Sequence, residues 1–158
     1  MKLGSTTFLK LAVFLLGIPA LILYGVGLPY LIKNPANPDY GHILYPIVIV
    51  IFISTVPYIA ALVQAFKLLS YIDQNIAFSE RSVKALKNIK YCAVTIVGLY
   101  VIGLPFIFMV AELDDAPGLG VIGMLLIFAP LVIAVFAAVL QKLLQEAIHI
   151  KSENDLTV

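Results

Sequence analysis

The sequence predicts an all-α polytopic membrane protein, a bundle of four transmembrane helices built from two helical hairpins. Three observations predict it. Four apolar runs, Leu11–Ile32, Ile43–Phe66, Tyr91–Ala111 and Leu119–Leu140, each match the roughly 20 residues that a helix needs to cross a bilayer. None of the four contains a formally charged side chain, and the chain is 62% hydrophobic with only 12% charged residues, a surface suited to lipid. With 158 residues and four spans, no room remains for a soluble catalytic domain. A single membrane domain over residues 1–158 is expected, with function in the bundle, its loops, its tail or a partner.

Charge sets the expected orientation. Lys2, Lys10, Lys67, Arg81, Lys84, Lys87, Lys90, Lys142 and Lys151 fall on one side of the four spans, and only Lys33 on the other. Lys and Arg in short loops are retained in the cytoplasm, so both termini, the loop 67–90 and the tail 141–158 are expected there. The outer loops carry Asp39, Glu112, Asp114 and Asp115. The first run follows Lys2 and Lys10 as a secretory signal would, but it is too long and lacks a small-residue cleavage site, so it reads as a retained helix. Cys92 is the single cysteine, which excludes an intramolecular disulfide and fits a small buried apolar residue.

The two halves echo one another. Leu23-Tyr24-Gly25-Val26-Gly27-Leu28-Pro29-Tyr30 in the first run aligns without gaps on Leu99-Tyr100-Val101-Ile102-Gly103-Leu104-Pro105-Phe106 in the third. Pro57, Ala61 and Ala65 in the second run match Pro130, Ala134 and Ala138 in the fourth. Both halves cross from the cytoplasm and return, as expected of a parallel duplication about an axis along the membrane normal. A proline inside a span removes a backbone donor and kinks the helix, while Gly27 and Gly103 allow close backbone approach. The alanines are expected to face inward. Kinks at Pro29 and Pro105 then splay the outer end, giving either a vestibule lined by Tyr24, Gly27, Pro29, Tyr100, Gly103, Pro105 and Phe106 or packing alone.

No catalytic, metal or cofactor constellation emerges. Ionisable side chains buried within a membrane mark proton relays and ion paths, and the four runs contain no Asp, Glu, Lys, Arg or His, which argues against proton-coupled transport. Gln64, Ser54, Thr55 and Thr95 are the main polar groups within them. His42 and His149 are expected on opposite sides of the membrane. Glu112, Asp114 and Asp115 read as a solvated turn before a cation site, no nucleophile is paired with a base, and no phosphate loop or zinc spacing occurs.

The loop 67–90 and the tail carry more information. The second helix is expected to run on to about Gln74 and to stop at Asn75, and Ser79 is placed to N-cap a helix with Glu80 in its first turn. Val83, Leu86 and Ile89 then form an apolar stripe edged by Lys84, Lys87 and Lys90, as in an interfacial helix lying near anionic head groups. Beyond Leu140 the fourth helix is expected to continue, with Leu143, Leu144, Ala147 and Ile148 on one face. Its last residues, Ser152 to Val158, read as mostly polar and exposed.

These strings carry a resemblance. Four spans, the segment AFSERSVKALKNIKY at Ala77–Tyr91 and the ending EAIHIKSENDLTV at Glu146–Val158 resemble the small bacterial membrane proteins grouped as domain of unknown function 2975. The matching elements are Phe78-Ser79 before a basic helix, and Glu153-Asn154-Asp155-Leu156-Thr157 at the close. The resemblance implies a bacterial inner membrane location and, often, a neighbouring gene for a small helix-turn-helix regulator. It implies no activity and no catalytic residues.

The expected function is therefore non-enzymatic. Its first form is a regulatory or interaction protein that offers Phe78, Ser79, Arg81, Lys84, Lys87, Glu153, Asn154 and Asp155 to a cytoplasmic regulator. The alternative is binding, transport or immunity for a small apolar molecule, peptide or lipid held between the hairpins. The lipid bilayer is the one expected environment, no segment is assigned to direct nucleic-acid binding, and a homo-oligomer is compatible with the sequence.

Overall fold

The computed structural model describes residues 3–33 and 38–156. Lys2, Thr157, Val158 and the side chain of Asp39, all used above, lie outside the described residues. Among the described residues every regular element is helical. Helix α1 spans Leu3–Ile22, a π-helical turn follows at Leu23–Gly27, and α2 completes the first crossing at Leu28–Lys33. Helices α3 (Pro38–Asp73), α4 (Glu80–Leu113) and α5 (Gly118–Leu156) make the other three crossings.

Successive helices are antiparallel. Lys10 of α1 meets Asp73 at the end of α3, Val50 of α3 lies against Gly103 of α4, and Lys90 of α4 donates a 3.1 Å hydrogen bond to Gln141 of α5. The start of α1, the end of α3, the start of α4 and the end of α5 therefore share one end of the molecule. That end holds Lys10, Lys67, Arg81, Lys84, Lys87, Lys90, Lys142 and Lys151. The α3, α4 and α5 helices have 36, 34 and 39 residues, roughly 50 to 60 Å at 1.5 Å per residue, whereas the hydrocarbon core is about 30 Å thick. All three must project from the bilayer.

Two sharp turns fix this arrangement. After α3 the chain bends at Asn75, whose φ of 60° is a left-handed conformation that asparagine tolerates, and Ile76 N–H returns to the Tyr71 carbonyl. Ser79 sits at the N-cap position of α4 as expected, with its carbonyl accepting from the Ser82 and Val83 amides. Its hydroxyl donates instead to the Ile76 carbonyl at 2.6 Å. Between α4 and α5, Asp115 adopts φ 52° and Ala116 N–H bonds the Ala111 carbonyl, closing a tight turn over Asp114–Pro117.

The core lies where α4 packs between its two neighbours. On α5 the buried residues are Gly120, Gly123, Pro130, Ala134 and Ala137, a stripe at successive spacings of three, seven, four and three, mostly of small residues, that lets the helix backbones approach. Ala134 faces inward as expected, but its buried companion is Ala137 and not Ala138. Ala61 and Ala65 on α3 are only half-buried. The stripe Val83–Leu86 is also placed differently from expectation. It belongs to one continuous helix with the third span, and Val83 and Leu86 are buried beside Ser82 and Ala85 against protein, not laid on the lipid surface.

Helix α1 packs on α3 alone. Of its described side chains only Thr6 and Ala20 are buried. Polar links hold it: Tyr24 Oη donates to the Phe52 carbonyl at 2.8 Å, Tyr58 Oη of α3 donates back to the Leu16 carbonyl one turn before Pro19, and Thr6 Oγ1 donates to Asp73. Lys10 Nζ lies 2.7 Å from the other Asp73 carboxylate oxygen. Asp73 is beyond the apolar run that ends at Phe66, and the bonds from Lys10 and then Thr6 hold its carboxyl below the ordinary carboxylate range. A lowered folded value means that the contact is intact at neutral pH and is lost as pH falls through that value. Asp73→Asn is expected to raise hydrogen exchange across residues 6–14 while α4 and α5 stay protected, whereas uniform loss of protection would show that α1 is not separately anchored.

Candidate functional site

At the lysine-rich end the helix extensions enclose an apolar groove. Leu68 and Ile72 supply it from α3, Ala77 and Phe78 from the turn, Leu86 from α4, and Leu140, Leu143, Leu144 and Ala147 from α5. Its volume is about 390 Å³. Phe78 is 58% exposed and Leu143 55% exposed, although both lie past the apolar runs. Exposed apolar side chains are ordinary on the lipid-facing surface of this molecule. In water they are not.

The basic residues of α4 lie at the same end of the molecule but do not line the groove, since at about 100° per residue positions 81, 84 and 87 are turned away from Leu86. Arg81, Lys84 and Lys87 recur every third residue on the exposed side of α4, and Lys87 and Lys90 also lie over the Tyr91 ring, at 5.9 and 4.9 Å from its centroid. Glu153, Asn154 and Asp155 are exposed near the end of α5, which remains helical to Leu156. The antiparallel pairing anchored by Lys90 and Gln141 brings this acidic stretch to the level of the Phe78 turn. His149 Nε2 is 3.1 Å from Glu153 one turn on. The eight residues thus share one end of the molecule. Ser82 is fully buried and offers nothing to that surface.

The seven outer residues are distributed differently. Tyr24, Gly27 and Pro29 belong to the first crossing, Tyr100, Gly103, Pro105 and Phe106 to α4, and α3 stands between those helices. Tyr24 turns toward α3, where its ring meets Phe52 edge-on with centroids 5.0 Å apart. Tyr100 and Gly103 line an apolar cavity of about 80 Å³ with Ile47, Val50, Ile51, Ile107, Gly123 and Leu126. A cavity of roughly 150 Å³ admits benzene, so this one has no room for a peptide or an acyl chain. The seven residues do not form one space.

Several determinants escaped the sequence reading. Leu68 and Ile72 join the groove because α3 outruns the bilayer, a signal present in the uninterrupted helical spacing past Phe66. Gly120 and Gly123 were legible as the start of the small-residue series that continues to Pro130, Ala134 and Ala137. Asp73, an acid among the lysines at that end, is the natural mate for Lys10. Among the described residues no group of three or more His, Cys, Asp or Glu side chains is placed to hold a metal ion.

Comparison with known proteins agrees with this architecture. The uncharacterized membrane protein YoaS of Bacillus subtilis strain 168 is 58% identical over 156 residues, covering 98% of each chain. No solved structure matches significantly. The family model described as "Protein of unknown function (DUF2975)" matches residues 30–158, which takes in α3, α4 and α5 with the groove between them. By that match and by its near-complete likeness to a second membrane protein, the chain belongs to the DUF2975 family of membrane proteins.

Proposed function

We propose that this protein is a non-enzymatic docking platform in the bacterial inner membrane, with its lysine-rich end in the cytoplasm and its apolar groove open to a soluble regulatory partner. The exposure of Phe78 and Leu143 beyond the apolar runs carries the reading. A groove of this kind suits the apolar face of an amphipathic helix, laid between α3 and α5 with its polar face toward solvent. Arg81, Lys84 and Lys87, exposed on α4 at the same end of the molecule, favour a partner with acidic segments, because complementary charge steers encounter and suppresses wrong partners. The bilayer contributes by holding the three helices in register, so that the partner meets a preformed surface and little ordering cost is incurred on binding.

One labelled-cell experiment tests both parts. In a Cys92→Ser background, single cysteines at the exposed positions Lys84 and Ser152 should resist an impermeant thiol reagent in intact cells, while one at Asp115 should react. A photoreactive phenylalanine at position 78 should then cross-link a discrete soluble protein, and one at the lipid-facing Leu125 should not. Labelling of position 84 from outside, or cross-linking at position 78 to lipid alone, would remove the platform reading.

A further inference from the structure

A second groove, independent of the docking surface, runs along the seam between α1 and α3. Its volume is about 480 Å³, and within the spans its walls are entirely apolar, including Phe14, Gly17, Leu62 and Phe66. It closes on Lys67, the residue directly after the apolar run of α3. We infer that this groove is a binding site for an anionic glycerophospholipid of the leaflet at the lysine-rich end, one acyl chain lying along α1 and α3 and the phosphate meeting Lys67.

Three observations converge on that occupant. The groove lies at bilayer depth, where an unfilled apolar channel forfeits dispersion contacts on every wall and an acyl chain is the molecule at hand. Gly17 keeps the channel open, since a Cβ there would meet only Leu62 Cδ1, at 3.9 Å. Charge selects the head group. Lys10, near the same end, is neutralised by Asp73 and lies over Phe66 at 5.3 Å from the ring centroid, whereas Lys67 makes no ion pair among the described residues. One uncompensated ammonium at the mouth of an apolar channel is complementary to a phosphodiester that carries net negative charge, and not to a zwitterion of zero net charge.

The site also accounts for a feature of the packing. Helix α1 is tied to α3 by Lys10 and Asp73 at one end, by the Tyr58 hydroxyl on the Leu16 carbonyl midway and by the Tyr24 hydroxyl toward the other, while the side chains beside these ties leave the groove between the helices. A bound chain completes that interface and stabilises the seating of α1.

Purified protein in discs of equal parts phosphatidylglycerol and phosphatidylcholine, both with palmitoyl and oleoyl chains, would be released into the gas phase and its retained lipids counted by mass. The full chain should keep phosphatidylglycerol in preference to phosphatidylcholine. Lys67→Gln should reduce that preference about fivefold, the loss expected for one lysine near a charged surface, with Lys151→Gln, exposed near the end of α5, as a control that leaves it unchanged. Gly17→Leu should abolish retention of both lipids, and Gly25→Leu, at a position with open space around it, should not. Equal retention of the two lipids by the full chain, or an unaltered preference in Lys67→Gln, would overturn the assignment. If Gly17→Leu does not fold, Lys67→Gln decides alone.

Discussion

Gly123→Leu is expected to destabilise the helical bundle by about 1–3 kcal/mol, the usual range for forcing extra methylenes into a close helix contact, here beside a cavity of only about 80 Å³. A Cβ at position 123 would already stand 3.0 Å from Leu104 Cδ1 and 3.2 Å from Ile107 Cγ2. The leucine terminus can rotate away. The branch methyl of Ile107 is fixed close to the α4 backbone and cannot, so the added side chain must push α4 and α5 apart along the stripe of small residues. Gly98→Leu is the matched control, because nothing lies within 4 Å of a Cβ there and the same substitution should cost little. The two variants would be compared by loss of helical ellipticity during denaturant titration in detergent. Equal midpoints would mean that the close approach of α4 and α5 is not a source of stability.

The second large effect concerns the groove at the lysine-rich end. Leu143→Glu sets a charge into its apolar wall and is expected to weaken partner binding about thirtyfold, the roughly 2 kcal/mol that defines a hot spot, while α5 remains folded because Leu143 is exposed. Deleting residues 152–158 removes no buried area among the described residues and should leave insertion and abundance unchanged, yet lower function with the groove variant. Gly103→Leu supplies the contrast. It overfills the small cavity beside Val50, whose Cγ1 is 3.4 Å from where the Cβ would sit. All three would be scored at equal abundance for the cellular phenotype of gene loss. Full activity after both Leu143→Glu and the deletion, with loss after Gly103→Leu, would transfer function from the cytoplasmic surface to the space between the helices.

The four crossings were legible because lipid imposes a plain requirement. About 20 uncharged apolar residues in a row leave few other fates, and charge bias supplied the expected orientation. Turn chemistry was legible too, since Asn75 and Ser79 have local preferences that no distant contact overrides. Inter-helix geometry was less so. Ala134 and Ala138 share a spacing of four, but the buried stripe steps by three, seven, four and three, and only the helix that α5 faces decides between Ala137 and Ala138. The position of Tyr24 depended on α3 standing between the first crossing and α4, a matter of packing order that hydropathy does not encode. The apolar groove was half visible. Phe78, Leu86, Leu143, Leu144 and Ala147 were named from sequence and the second helix was expected to reach about Gln74, while the meeting of Leu68 and Ile72 with them depends on how α3, α4 and α5 pack.

The π-helical turn at Leu23–Gly27 has a consequence for the internal repeat. There the Leu28 amide bonds the carbonyl of Leu23, five residues back, so the turn accommodates one residue more than an α-helix does. Each residue occupies about 100° of arc on a helix, and everything after Gly27 is therefore rotated by about that angle from the course set by α1. The matching string in α4 is regular throughout and keeps its phase through Pro105. Identical letters thus stand at different bearings: the angle around the helix from Tyr24 to Pro29 differs by about 100° from that between Tyr100 and Pro105.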